Sequence, residues 1–308
     1  MASLDKVVGV ERYPIHDRDV ARREPVEGCT DHPHAGGASL RVTEQDDFAR
    51  DGLVVVRQLF SRAEVDAARV AIDAVLANPG PLAKVASDAD DPGLFVEDFC
   101  RWRDISAIEA LARTSAAGEI AASLMRSKRV RFYHDHVLVK ESATRQRTPW
   151  HQDQPYYNVD GQGVSAWIPV DPVPETASLE LLAGSHSGAW KLPRSFVDGQ
   201  ARWFPEHSLD ELPDIEANRA AFDIRRFEME PGDAIFFDFL TVHGAPGFAF
   251  GGRRRVLSLR YLSETARHAP RNWPTSPHFE GLDSELESGA PMDHPLFPTV
   301  WPKPVSTG

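Results

Sequence analysis

Near Val130 the chain changes its hydrophobic period, and that change limits the folds open to it. Ahead of this point the signals are mainly helical. Thr43 opens a short helix with acids in its first turn. Leu53-Val54-Val55-Val56 reads as a buried strand. Ser61 and Glu64 form a capping box at the head of a longer helix that carries Val65, Val70, Ile72, Val75 and Leu76, and residues 105–126 give further helix. After this point come short segments at 130–140, 163–171, 178–183, 233–239 and 254–262. They are rich in Val, Ile, Phe, Trp and Tyr and bounded by Gly or Pro, the pattern of strands in a sandwich or barrel. Helices first and strands after predict an α+β domain, a β-sandwich or jelly roll backed by helices. The expected layout is an irregular arm over 1–40 and a single domain over 41–308. That domain is helical to about 129, has its jelly-roll core over about 130–265, and ends in a proline-rich irregular tail.

Bulk properties exclude several classes of function. The formal net charge of −12 disfavours nucleic acids and anionic membrane surfaces as partners. No run of about 18 apolar residues is present, so no membrane span is expected. The N-terminus lacks the basic-then-apolar pattern of a secretory signal. The 2 cysteines, Cys29 and Cys100, make neither a disulfide framework nor a zinc ribbon, and a reducing cytoplasm is the expected compartment. His32 and His34 resemble half a metal site but have no third ligand nearby, so a polar arm is the simpler reading.

The strongest local motif is His151-Gln152-Asp153. Side chains at i and i+2 of a strand point to one face, so an imidazole and a carboxylate can converge on one ion. A second histidine completes the set. Pro231-Gly232-Asp233 turns into the apolar run Ala234-Ile235-Phe236-Phe237, after which His243 and Gly244 stand at a strand end, 92 residues beyond His151. Two histidines and one carboxylate on one face of an octahedron suit an iron(II) oxygenase. Eleven residues further lies Arg254, which shares a strand face with residues 256, 258 and 260. A guanidinium on the cavity face can grip a carboxylate by two parallel hydrogen bonds. Arg253 and Arg255 are expected to be solvated, and His186 is expected to have a structural role.

These stretches together resemble the phytanoyl-CoA dioxygenase family of iron(II)/2-oxoglutarate oxygenases, from about residue 43 to 302. The resemblance is carried by HDHVLVKE (134–141), TPWHQDQPYY (148–157), SAWIPVDPV (165–173), LELLAGSH (179–186), PGDAIFFD (231–238), TVHGAP (241–246), RRVLSLRY (254–261) and GAPMDHPLFPTVW (289–301). It implies a double-stranded β-helix with iron held by His151, Asp153 and His243, and with Arg254 on the far carboxylate of 2-oxoglutarate. Trp167 and His136, four residues before Lys140, are implied as cosubstrate-lining residues, with Lys140 a further candidate. Tyr156, Tyr157 and Asn158 follow the His-x-Asp pair and are expected to help line a substrate pocket. Thr176-Ala177-Ser178 departs from the Asn-Gly that family members often carry there.

The implied reaction uses O2 and 2-oxoglutarate to hydroxylate an unactivated C–H bond of a small organic molecule, releasing succinate and CO2. Asp153 is present, whereas related halogenases lack this carboxylate, so hydroxylation is favoured over halogenation. Desaturation or cyclisation, or an acyl-CoA substrate, remain alternatives; Arg126, Lys128, Arg129 and Arg131 could meet a CoA phosphate, although a solvated basic stretch beside a helix end is the simpler reading of them. Two other classes stay open: a non-catalytic jelly-roll protein that kept its metal, and a zinc-dependent cupin-like hydrolase. The second would not need Arg254.

Overall fold

A computed structural model describes residues 40, 42–193 and 209–303. The arm read over 1–40, with Cys29, His32 and His34, lies outside the described residues apart from Leu40. Four helices form the first part: α1 Val42–Asp51, α2 Arg62–Ala77, α3 Ser106–Thr114 and α4 Ala117–Leu124. The capping box closes as expected. Ser61 Oγ accepts from the Glu64 amide at 3.3 Å, and Glu64 Oε2 accepts from the Ser61 amide at 2.8 Å. Such a cap stabilises a helix by about 1 kcal/mol. Helix α2 buries Val65, Ala68, Ile72 and Val75. Val70 is 70% exposed, against expectation. At about 100° per residue it stands on the side opposite Ile72.

Strands β1 Leu53–Val56, β2 Lys84–Val85, β3 Phe95–Phe99 and β4 Val130–Glu141 are followed by β5 Thr148–His151, β6 Val159–Asp160 and β7 Gly163–Pro169. Next come β8 Glu180–Leu182, β9 Ile224–Arg225, β10 Ala234–Asp238, β11 His243–Ala245, β12 Arg253–Ser263 and β13 Arg267–His268. The major sheet runs β1-β10-β7-β12-β4-β3-β2, and the minor sheet runs β5-β11-β8-β9. All of these pairs are antiparallel. The alternation along β12 divides the molecule. Leu257, Leu259 and Tyr261 join Ile72, Ile108 and Ile120 in the core beneath the helices. Arg254, Val256, Ser258 and Arg260 face a cavity on the other side of the strand.

The tail is more regular than its prolines suggest. It contains a short helix, α5 Leu282–Glu285, and a strand, β14 Thr299–Trp301, which pairs with β4. The cause is apolar anchoring. Phe297 is fully buried beside Tyr133 and Leu282, and Val300 joins the core under the helices. Among the described residues no helix is long and apolar enough to cross a membrane.

Candidate metal centre

His151 ends β5 and His243 opens β11, and the two are direct cross-strand partners. Each imidazole meets a backbone carbonyl two residues earlier, His151 Nδ1 at 2.8 Å from Pro149 O and His243 Nδ1 at 2.9 Å from Thr241 O. A carbonyl only accepts, so both rings carry their proton on Nδ1 and turn the Nε2 lone pair inward. Nε2 of His151 stands 3.7 Å from Asp153 Oδ1, and Nε2 of His243 stands 3.8 Å from the same oxygen. All three ligand atoms lie within 4.8 Å of one another. Bonds of about 2.1 Å let one ion span such a gap.

The major sheet fixes the carboxylate. Ser165 Oγ on β7 donates to Asp153 Oδ2 at 2.6 Å, and Arg260 Nη2 on β12 lies 3.6 Å from that oxygen. Oδ2 is therefore engaged, and Oδ1 is left for the ion. Burial alone would raise the Asp153 pKa, but Arg260 and the two imidazoles hold it well below the usual carboxylate range. Burial, aided by the neighbouring His151, pushes His243 down to about 3, so its lone pair stays free near neutrality.

Arg254 faces the same cavity from the far end of β12. It is 4% exposed, donates from Nη1 to Ala177 O, and makes no ion pair among the described residues. Burial lowers its pKa to about 10, which still leaves it charged. A buried cation without a counterion costs several kcal/mol unless a ligand supplies the charge. Trp167 and His136 flank Ser258 as its cross-strand partners on either side, and all three line the cavity. Tyr156 sets its ring edge against His151 at 5.7 Å, and the Tyr157 hydroxyl accepts from Arg260 Nε at 3.1 Å.

Two residues singled out from the sequence are turned away from the cavity. Lys140 donates to Gln146 O at 2.8 Å and Pro246 O at 2.9 Å, with Nζ 4.5 Å from the centre of the Phe95 ring. Those carbonyls draw its Nζ to the ends of neighbouring loops. Asn158 accepts from the Tyr133 hydroxyl at 2.8 Å and belongs to the packing under the tail. Arg253 and Arg255 are paired rather than simply solvated, Arg253 with Glu141 and Arg255 with Asp171 and Asp73. Among the polar residues not singled out from the sequence, Glu97, Ser258 and Arg260 line the cavity and Ser165 holds Asp153. The face shared with Arg254 was a signal for Ser258 and Arg260.

His186 stands behind the loop that carries His243. A Cβ built on Gly52 would lie 2.4 Å from His186 Nδ1, and Gly52 has φ +75°. The Gly52 carbonyl accepts from the Asp238 amide at 2.9 Å and from Thr241 Oγ1 at 2.7 Å, which docks that loop. Gly52→Ala is expected to destabilise the protein by about 2 kcal/mol or more, from left-handed strain and the clash together. A urea titration of the two proteins checks this; an unchanged midpoint would contradict it.

The sequence matches the family model described as phytanoyl-CoA dioxygenase (PhyH) over residues 48–256. No curated protein matches the chain. Among solved structures, a non-haem alpha-ketoglutarate-dependent carbocyclase, SnoK from nogalamycin biosynthesis, superposes with a TM-score of 0.67 at 22% identity, covering 86% of this chain and 98% of its own. The epimerase SnoN in complex with Fe3+, alpha-ketoglutarate and nogalamycin RO gives 0.67 at 21%, covering 84% and 97%. EctD from S. alaskensis, in its apo form, gives 0.58 at 19%, covering 78% and 82%. At such identities the likeness speaks to the fold, which is the jelly roll that the strand pattern predicted.

Proposed function

Because the chain belongs to the phytanoyl-CoA dioxygenase family, as the match over residues 48–256 establishes, we propose that it is a hydroxylase of a small organic metabolite working with Fe(II), 2-oxoglutarate and O2. The observation that carries this reading is the pairing of two features across one cavity. One is a convergent His-Asp-His set; the other is a buried guanidinium with no partner charge among the described residues. The donor set fits iron: two neutral imidazoles and one carboxylate oxygen on one side, the other side open to the cavity. It would be held by His151 Nε2, His243 Nε2 and Asp153 Oδ1.

The cavity also fits a keto-diacid. Arg254 offers a fork for the distal carboxylate, and Ser258 Oγ is buried, without a hydrogen-bond partner among the described residues, and on the same strand face. Trp167 supplies an apolar wall. Iron and 2-oxoglutarate, when bound, supply an oxidation in which O2 is consumed, succinate and CO2 leave, and the substrate gains one oxygen atom. The chain itself orients the reacting C–H bond and keeps water away. Tyr156, Tyr157 and Phe99 give the wall its aromatic character.

The epimerase SnoN, described with Fe3+ and alpha-ketoglutarate bound, supports the cosubstrate assignment. A zinc hydrolase or a non-catalytic relative would have no use for the unpaired Arg254. The test is anaerobic addition of Fe(II) and then 2-oxoglutarate, watching for a metal-to-ligand absorption band, followed by a metabolite screen read by O2 uptake and succinate release. No band in the wild-type protein would overturn the reading. Product analysis separates hydroxylation from desaturation or cyclisation. Ser258→Ala is expected to raise the KM for 2-oxoglutarate roughly tenfold with little change in kcat, as for a lost hydrogen bond to a charged group. An unchanged KM would remove Ser258 from the cosubstrate site.

A further inference from the structure

Glu97, on β3, is 4% exposed and lines the cavity. Its Oε2 lies 3.2 Å from His136 Nε2. The other ring nitrogen, His136 Nδ1, lies 3.5 Å from Arg260 Nη2. A guanidinium only donates, so Nδ1 must accept, and the ring proton sits on Nε2 facing Glu97. The imidazole is thus committed on both sides, and Phe99 stacks on it at 3.9 Å. Burial opposes the charge on Glu97, yet the His136 hydrogen bond keeps its pKa below the ordinary value. It is a carboxylate anion with Oε1 unused, since among the described residues Glu97 makes no other hydrogen bond. A buried anion with an idle oxygen facing a cavity has a place for a donor.

We propose that Glu97 anchors the substrate, and that the group it receives is an uncharged hydroxyl on an apolar carbon framework. This rests on the oxygenase reading above. Two cations, one buried and one at the exposed edge, select against an ammonium. Arg260 stands behind His136, and Lys84 stands at the mouth with Nζ 5.1 Å from the centre of the Phe99 ring. A carboxylate ligand would meet Glu97 itself. A neutral hydroxyl donates to Oε1 without either repulsion, while Phe99 and Tyr156 offer apolar surface to a carbon framework. Glu97 therefore sets specificity, at a wall formed by β3 and β4 rather than at the Arg254 end.

The experiment uses the full protein loaded anaerobically with Fe(II) and 2-oxoglutarate. Three matched probes are added: trans-cyclohexane-1,2-diol, cyclohexylamine and cyclohexanecarboxylate. The shift of the metal-to-ligand band is followed first, then probe-dependent succinate release in air. The diol is expected to shift the band and stimulate release, and its Kd is expected to rise about tenfold or more in Glu97→Ala. Glu97→Gln, which keeps shape and an acceptor, is expected to lose less. Both variants are expected to form the band with 2-oxoglutarate alone, which keeps an anchoring role apart from a structural one.

Equal diol affinity in Glu97→Ala, tighter binding of the amine or the carboxylate, or no response to the diol would each overturn the proposal. So would loss of the 2-oxoglutarate band in both variants, because Glu97 would then serve the metal site. Absence of that band in the wild type brings down the oxygenase reading first, a different result from a band that ignores the diol.

Discussion

Asp153→Ala is expected to abolish turnover and to lower iron affinity by more than about 100-fold, since even altering the partners of a metal ligand costs 10–100-fold. Asp153 would be the one anionic ligand, and its Oδ1 stands 3.7 Å from His151 Nε2 and 3.8 Å from His243 Nε2. Without it the ion keeps two neutral donors. Arg260, held at 3.6 Å from the missing carboxylate, then faces the metal as an uncompensated cation. Iron content after anaerobic dialysis, together with succinate release, checks this. A variant that keeps its iron and turns over would show that the carboxylate is not a ligand.

The second large effect is expected at the other end of the cavity. Arg254→Leu should raise the KM for 2-oxoglutarate about 100-fold while the loaded enzyme keeps much of its kcat. Breaking one side of a buried ion pair typically costs 2–5 kcal/mol, and each 1.4 kcal/mol is a factor of ten. The apo-protein should not suffer in proportion. Leucine removes a buried charge that has no ion-pair partner among the described residues, so its stability is expected to hold or rise. Steady-state kinetics against 2-oxoglutarate, with an unfolding curve of the apo-protein, separate the two effects. A KM within twofold of wild type would place the cosubstrate elsewhere.

The sequence carried much of this because the relevant signals were local. The Gly after His243 and the alternation along 254–260 each depend on neighbours in the chain; the nearness of His151 and Asp153 was also legible, but not by strand alternation, because β5 ends at His151 and Asp153 lies past it in a helical backbone conformation. The same alternation that placed Arg254 also placed Ser258 and Arg260 on the cavity side, although their partners lie on other strands. Lys140 misled for the same reason: its strand face is legible, but the carbonyls that capture its Nζ belong to loops at 146 and 246. Strand β3 was missed because Phe95-Val96-Glu97-Asp98-Phe99 carries two adjacent acids. Only the fold shows that Asp98 caps Gly80 and pairs with Arg101 while Glu97 turns to His136. The short elements in the tail were hidden by proline, and their anchors Phe297 and Val300 have no helical or strand period to announce them.

Consider last that the two imidazoles sit directly opposite each other on the minor sheet, while the carboxylate between them is clasped from the major one. A single-residue slip of one short strand would rotate His243 out of reach. The complete ligand set therefore exists only where the two sheets are packed against each other, which ties ferrous binding to the folded chain. Once captured, the ion stabilises only finished molecules, by mass action.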